Sequence, residues 1–175
     1  LWDVSVDDGQ LLVSYMPEGG QFNLYAIKMD DTVSSRQLTN NDHVEWGVKL
    51  SPDNKWMVYT SEKDMKRGYE IYINRFPEMN NEFRISDGGG EEPKWLPDGS
   101  GVYYRNGSQW MKVSLDLESE PKVSKPELFF EGDYVNVWGP SHDIFPDGRI
   151  LLLELEEWVQ PTEIDVIINA LDVKP

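Results

Sequence analysis

A short turn motif recurs four times along the 175-residue chain. Its aspartate stands at positions 8, 53, 98 and 147, so successive copies lie 45, 45 and 49 residues apart. The clearest copies are Ser51-Pro52-Asp53, Pro97-Asp98-Gly99 and Pro146-Asp147-Gly148, and Asp7 replaces the proline in the first copy. Proline presets φ, aspartate bonds its own backbone and glycine accepts a positive φ, so the motif predicts a tight turn. The near-equal spacing indicates a chain built from structural repeats.

The same order of extended segments follows each turn. An apolar run comes first, then a polar loop, then a segment in which apolar and polar residues alternate. β-Branched and aromatic residues dominate these segments, which is typical of strands. The apolar runs lie at 11–14, 56–60, 102–105 and 150–153, the alternating segments at 24–27, 71–73, 110–113 and 164–167, and a short closing segment at 36–39, 83–86 and 127–130. Apolar residues at helical spacing do not extend over a helix length, so we predict an all-β chain.

Four antiparallel strands in a repeat of about 45 residues match one blade of a β-propeller. We therefore predict a single all-β domain over residues 1–175, made of four blades with approximate limits 1–42, 43–88, 89–134 and 135–172. The fourth repeat shows only three clear strands. Propellers commonly have four to eight blades, so we expect either half of a larger ring or two copies closing one ring as a homodimer. A closed ring of four blades is the third alternative.

Several segments match the repeat pattern of one protein family. Pro93-Lys94-Trp95-Leu96-Pro97-Asp98-Gly99 carries the turn, Glu70-Ile71-Tyr72-Ile73 an Ile-Tyr strand, and Gln37-Leu38-Thr39 a Leu-Thr strand end. In these segments the chain resembles the WD-like repeats of TolB-type β-propellers, with Asn54 in place of the turn glycine in the second repeat. The stretch 160–169 is similar to the last strand of propellers fused behind bacterial, eukaryotic-like Ser/Thr kinases.

This resemblance implies a kind of role. TolB-type propellers act as protein-docking platforms in the bacterial envelope, and the kinase-fused propellers look like extracytoplasmic sensor or scaffold domains. By that analogy we expect a sensor or scaffold part of a bacterial envelope or signalling protein, in the periplasm or another extracytoplasmic compartment. Composition alone leaves the compartment unknown.

Charge and composition exclude several classes of function. The chain has 16 Lys and Arg against 32 Asp and Glu, a net charge of −16, which opposes binding to nucleic acid or to anionic membranes. It contains no cysteine, so disulfides, thiolate metal sites and cysteine nucleophiles are excluded, and its two histidines cannot build a three-histidine zinc site. The longest apolar run, Ile150–Leu153, is too short to span a membrane. We expect no cofactor and no metal.

Two segments superficially suggest chemistry. Ser141-His142-Asp143 has the residue types of a hydrolase triad, but neighbours in a strand point to opposite faces and cannot align as nucleophile, base and orienting group. The glycine-rich segment 87–92 ends in two glutamates, which would repel a phosphate. We therefore predict a non-enzyme with no catalytic residues. The alternative is an accessory propeller of a prolyl-oligopeptidase-type hydrolase, or a propeller lyase or glycosidase.

The predicted binding site is the propeller face where the blade-connecting segments and the loops between second and third strands gather. Tryptophans there are candidate anchors, because large rigid side chains dominate binding energy. Carboxylates there could steer a basic partner or hold a divalent cation, although no calcium-loop motif occurs. The predicted contacts with a protein or small ligand are His43, Glu45, Trp46, Glu91, Glu92, Trp138, His142 and Trp158. The alternative is that these tryptophans pack between blades and the carboxylates are a solvated surface.

Overall fold

The computed structural model describes residues 3–4, 9–29, 34–64, 68–118, 121–137, 141–154 and 166–168. Every regular element in these ranges is a β-strand, and neighbouring strands pair antiparallel. The prediction of an all-β chain is confirmed.

The strands form four sheets, which we call blades 1 to 4. Blade 1 contains β1 (Asp3–Val4), β2 (Gln10–Tyr15), β3 (Asn23–Lys28) and β4 (Ser34–Gln37). Blade 2 contains β5 (Glu45–Leu50), β6 (Trp56–Ser61), β7 (Glu70–Arg75) and β8 (Phe83–Arg84). In both blades consecutive strands are neighbours, so each blade is a simple meander.

The third and fourth blades depart from this pattern at their outer edges. Blade 3 contains β9 (Glu91–Trp95), β10 (Gly101–Asn106), β11 (Gln109–Asp116), β12 (Lys122–Val123) and β13 (Glu127–Glu131). Here β13 pairs with the first half of the long β11, and β12 pairs with its last two residues. Blade 4 contains β14 (His142–Ile144), β15 (Ile150–Leu153) and β16 (Val166–Ile168). Within the described residues it therefore has the three strands that the sequence predicts.

The core consists of apolar layers between successive blades. Leu12, Leu24 and Ala26 of blade 1 are buried against Met57, Tyr59 and Tyr72 of blade 2. Trp56, Val58 and Ile73 of blade 2 are buried against Val102, Tyr104 and Val113 of blade 3. Tyr103 and Trp110 of blade 3 are buried against Ile150 and Leu152 of blade 4. Since alternate residues of one strand face opposite sides of a sheet, each inner blade buries both faces. Repeats stacked face to face in this way form part of a propeller.

The repeated aspartate has the same role in three turns. Its Oδ1 accepts a hydrogen bond from the backbone N–H two residues later, from Lys55 to Asp53 (3.2 Å), Ser100 to Asp98 (3.0 Å) and Arg149 to Asp147 (3.2 Å). The residue after each aspartate, Asn54, Gly99 or Gly148, has a positive φ of 57°, 73° or 86°. Asparagine tolerates this conformation, which explains how it replaces the glycine in the second repeat.

The hairpin of blade 4 is one residue shorter than those of blades 2 and 3. In blades 2 and 3 the backbone N–H before the turn bonds a carbonyl five residues ahead, Ser51 to Trp56 and Leu96 to Gly101, whereas Phe145 bonds Arg149, four residues ahead. A one-residue change moves the following side chains to opposite faces. Consequently Ile150 and Leu152, rather than Leu151, face blade 3.

Candidate partner-binding face

The inner strands of blades 2 and 3 begin at the predicted binding face with a β-bulge. The pairing register shifts between Trp46 and Lys49 in blade 2 and between Tyr103 and Arg105 in blade 3. At the bulge the backbone is left-handed, with a φ of 68° at Gly47 and 53° at Glu92. Bulges re-aim side chains at the ends of strands, so these two positions orient the residues around them.

An aromatic pair lies at this end of blade 2. The rings of Trp46 and Tyr69 meet edge to face, with centroids 5.7 Å apart and an interplanar angle of 82°. Both side chains are half-buried, so part of each ring reaches the surface. The Tyr69 carbonyl accepts a 2.9 Å hydrogen bond from the N–H of Gly90, which ties the pair to the connection into blade 3.

Two carboxylates act on this pair. Partial burial raises the pKa of the Tyr69 hydroxyl, and the nearby negative charges of Glu62 and Glu91 raise it further. Burial also raises the pKa of Glu91, Glu92 adds to that rise, and the Arg105 guanidinium opposes it. We call Trp46, Glu62, Tyr69 and Glu91 the aromatic–acidic patch. Its rings offer apolar contact area, and its carboxylates accept hydrogen bonds from a basic group.

The buried Glu92 side chain links blade 3 to blade 4 through hydrogen bonds, and we call this contact the Glu92 clasp. Its side chain accepts a hydrogen bond from the backbone N–H of Ser141 (3.1 Å) and a second from the Ser141 hydroxyl. The His142 Nδ1 lies 3.5 Å from the same carboxylate. Burial alone would raise the pKa of Glu92, but its contacts with His142 and Ser141 outweigh burial and lower it.

His142 is enclosed by aromatic rings. Its ring centroid lies 4.5 Å from that of Trp110 and 5.3 Å from that of Tyr103, and burial lowers its pKa. The Ser141 hydroxyl donates to Glu92, and Asp143 instead accepts a 3.0 Å hydrogen bond from the Lys94 ammonium. The segment 141–143 therefore lacks the geometry of a hydrolase triad.

Glu45 occupies a similar buried position between blades 1 and 2. It is 1% exposed and accepts a 2.9 Å hydrogen bond from the Asn41 side-chain amide. The half-buried His43 lies between two carboxylates, with Nε2 3.4 Å from Glu45 and Nδ1 3.5 Å from the exposed Asp42. Burial raises the pKa of Glu45.

The eight predicted contact residues therefore fall into three groups. His43, Trp46 and Glu91 keep some exposed surface and can contact a partner directly. Glu45, Glu92 and His142 are buried, and their place is in the packing between blades. Trp138 and Trp158 lie outside the described residues. Sequence reasoning did not single out Tyr69, whose only signal is its position in the loop before the Ile-Tyr strand.

A concave surface lies at the end of blades 2 and 3 opposite the aromatic–acidic patch. It is a cleft of about 630 Å³. Trp56 and Trp95 contribute to its walls, with the Arg75 guanidinium 5.4 Å from the Trp56 ring. Its charged lining residues are Asp53, Lys55, Arg75, Asp98, Asp116 and Glu118. This mixture of charges points to no single class of ligand.

Metal ligands do not cluster on the described surface. Within the described residues no three His, Asp or Glu side chains are grouped so that they could hold a metal ion. In the same part of the chain we find no helix with the length and apolar character needed to cross a membrane.

Comparison with known proteins gives similarity of fold. No protein-family model and no curated protein sequence matches the chain. The fold is similar to the crystal structure of TolB from Acinetobacter baumannii, with a TM-score of 0.63, 16% identity and 85% of this chain covered. It is also similar to a putative TolB from Agrobacterium tumefaciens, with a TM-score of 0.63, 20% identity and 94% covered. The matched region is only 36% of the first protein and 58% of the second, so the chain spans less than two thirds of either. The chain has a TolB-like propeller fold.

Proposed function

We propose that this chain is a non-catalytic propeller module that binds a partner protein through the aromatic–acidic patch. The observation that carries the proposal is the half-exposed edge-to-face pair of Trp46 and Tyr69, with Glu62 and Glu91 acting on the same hydroxyl. Aromatic side chains that are fixed before binding lose little conformational freedom and make strong anchors.

The partner chemistry that fits this patch is a basic segment with apolar side chains. The patch holds two carboxylates, and the whole chain carries a net charge of −16, so its field attracts cations from a distance. The raised pKa of Glu91 means that a nearby ammonium or guanidinium group would relieve part of the cost of its burial. The apolar part of the partner would lie against the two rings.

The TolB-like fold supports a docking role, and the sequence resemblance to kinase-fused propellers supports a sensor or scaffold role in a bacterial envelope or signalling protein. We further propose that the four blades belong to a ring completed by other blades. The support for this is that the chain matches only part of the length of both TolB structures.

The test uses a capped hexapeptide of alternating lysine and leucine as the probe, compared with its glutamate–leucine counterpart. Binding is measured by calorimetry for wild type, Trp46→Ala, Tyr69→Ala and Phe129→Ala. Phe129 is an exposed aromatic residue of blade 3 outside the patch, so its removal is the matched control.

We expect the lysine peptide to bind and each patch variant to lose about tenfold or more in affinity, as for hot-spot residues. Phe129→Ala should bind as wild type. The proposal fails if the glutamate peptide binds equally well, or if both patch variants keep wild-type affinity while remaining folded.

A further inference from the structure

The packing between blades follows a rule that assigns a direction to each face. In blade 2, Met57 and Tyr59 face the preceding blade, and Trp56 and Val58 face the following blade. In blade 3, Val102 and Tyr104 face the preceding blade, and Tyr103 faces the following blade. We call the face of a blade toward the blade before it in the chain its preceding face, and the face toward the blade after it its following face. Each junction within the chain packs the following face of one blade against the preceding face of the next.

The preceding face of blade 1 has no blade against it within the described residues. Leu12, Leu24 and Ala26 are buried on the face toward blade 2. The opposite face carries two cross-strand pairs of β2 and β3, Leu11 with Ile27 and Val13 with Tyr25. All four side chains are apolar or aromatic, yet they are only half-buried.

In the part of the chain that the structure describes, the following face of blade 4 also has no blade against it. Ile150 and Leu152 are buried against blade 3, so Leu151 and Leu153 face the other side. Both are half-buried leucines. The two ends of the array are therefore the two complementary halves of one further blade–blade junction.

Blade 1 and its hairpin also carry a group of exposed large apolar side chains. Among the described residues, those on blade 1 and its hairpin are Tyr15, Met16, Phe22 and Met29, and those on the outer part of blade 3 and the connection to blade 4 are Val123, Leu128, Phe129 and Val137. The described part of blade 2 has none. Exposed apolar patches on a soluble protein commonly mark interaction sites.

We propose that two copies of this chain close one ring, with the preceding face of blade 1 in each copy docked on the following face of blade 4 in the other. The argument is continuity, because this junction repeats the face-to-face packing already present three times within the chain. A two-fold axis makes both junctions identical and leaves neither end open. The eight blades lie within the range that closed propellers adopt. This inference rests on the ring completion proposed above and is independent of binding at the aromatic–acidic patch.

Light scattering of the purified chain tests the proposal. We expect twice the single-chain mass of 20.2 kDa. Val13→Glu on the blade 1 face and Leu151→Glu on the blade 4 face should each reduce the mass to that of one chain. Val123→Glu makes the same kind of change on the outer strand β12, away from both faces, and should leave the mass doubled.

Mixing the two disrupted variants gives a second readout. In a Val13→Glu and Leu151→Glu pair, one junction combines two unaltered faces, so the mixture should have a higher mean mass than either variant alone. Strand content by circular dichroism identifies any variant that fails to fold, and Leu11→Glu or Leu153→Glu then replaces it.

Three outcomes overturn the proposal. A wild-type mass of 20.2 kDa at every soluble concentration means that other blades cover the faces. A doubled mass that survives Leu151→Glu means that blade 1 pairs with itself. A series of oligomers larger than the dimer means that the junction forms between copies but the ring does not close. Peptide binding at the patch is measured separately, so either proposal can fail without the other.

Discussion

Replacing Glu92 by alanine and by glycine separates two contributions that this residue makes to stability. Both replacements remove the acceptor for the Ser141 N–H and hydroxyl. Each buried donor left without a partner costs about 1–3 kcal/mol, so the loss of both hydrogen bonds should cost about 2–6 kcal/mol. The left-handed backbone, with a φ of 53°, adds a cost that glycine does not have. That cost is about 1–2 kcal/mol for other residues.

We therefore expect both variants to be less stable than wild type, with Glu92→Gly about 1 kcal/mol more stable than Glu92→Ala. This order is the reverse of that in an ordinary strand, where glycine is less stable than alanine by about 0.5–1 kcal/mol. Urea unfolding followed by tryptophan fluorescence and circular dichroism measures the three free energies of unfolding.

Gly47→Ala is the matched control at the equivalent bulge of blade 2. Its φ is 68°, and an added Cβ would lie 3.5 Å from the Thr60 hydroxyl and 3.7 Å from Pro93, which is ordinary contact. Its cost should therefore be conformational, about 1–2 kcal/mol. If Glu92→Ala is at least as stable as Glu92→Gly, the backbone argument is refuted. If both Glu92 variants have the wild-type free energy of unfolding, the hydrogen bonds from Ser141 to Glu92 contribute nothing to stability.

Three further predictions follow from the junctions and turns. Wild type should lose more stability than His142→Gln as the pH drops from neutral toward about 4, because the pKa of His142 is lowered in the folded state and the unfolded chain then binds more protons; equal losses in the two proteins would contradict this. Glu45→Gln should raise stability at pH 7, because burial raises the pKa of Glu45 and charging it costs free energy, and the gain should shrink at low pH; an equal gain at both pH values would refute the electrostatic cause. Asp53→Ala removes the acceptor of the Ser51 hydroxyl and the Lys55 N–H and should cost about 1 kcal/mol in urea unfolding; an unchanged free energy of unfolding would refute the role of this turn contact.

The sequence predicts local features of this fold well, because they depend on neighbours in the chain. The predicted run at 150–153 coincides with β15, and the predicted closing segment at 127–130 lies within β13. Turn chemistry fixes where a strand begins, and side-chain alternation fixes its type. The short strand β12 has no comparable signal, since it comprises only two exposed residues.

Burial at the candidate site is harder to predict. Glu92 meets Ser141, which is 49 residues away, and their contact depends on how two blades stack. The sequence predicts that Glu45, Glu92 and His142 lie in or beside the segments that connect blades, but it does not indicate which neighbouring blade covers them. Tyr69 belongs to a polar loop without periodicity, so its partnership with Trp46 appears only in three dimensions.

The shortened hairpin of blade 4 has a consequence for anyone who would cut, fuse or exchange these repeats. Counting from the recurring turn aspartate would place Leu151 on the face toward blade 3, whereas counting from the backbone bond of Phe145 to Arg149 places Ile150 and Leu152 there. The difference has little effect in blade 4 because every residue of Ile150–Leu153 is aliphatic. Whichever alternate residues face blade 3 after a deletion in the preceding turn, aliphatic side chains are buried there. The same deletion ahead of β6 would exchange Trp56 and Val58 for Met57 and Tyr59 in the layer toward blade 3. A chimera should therefore join repeats within blade 4 rather than blade 2, with its ends chosen by hydrogen-bond position.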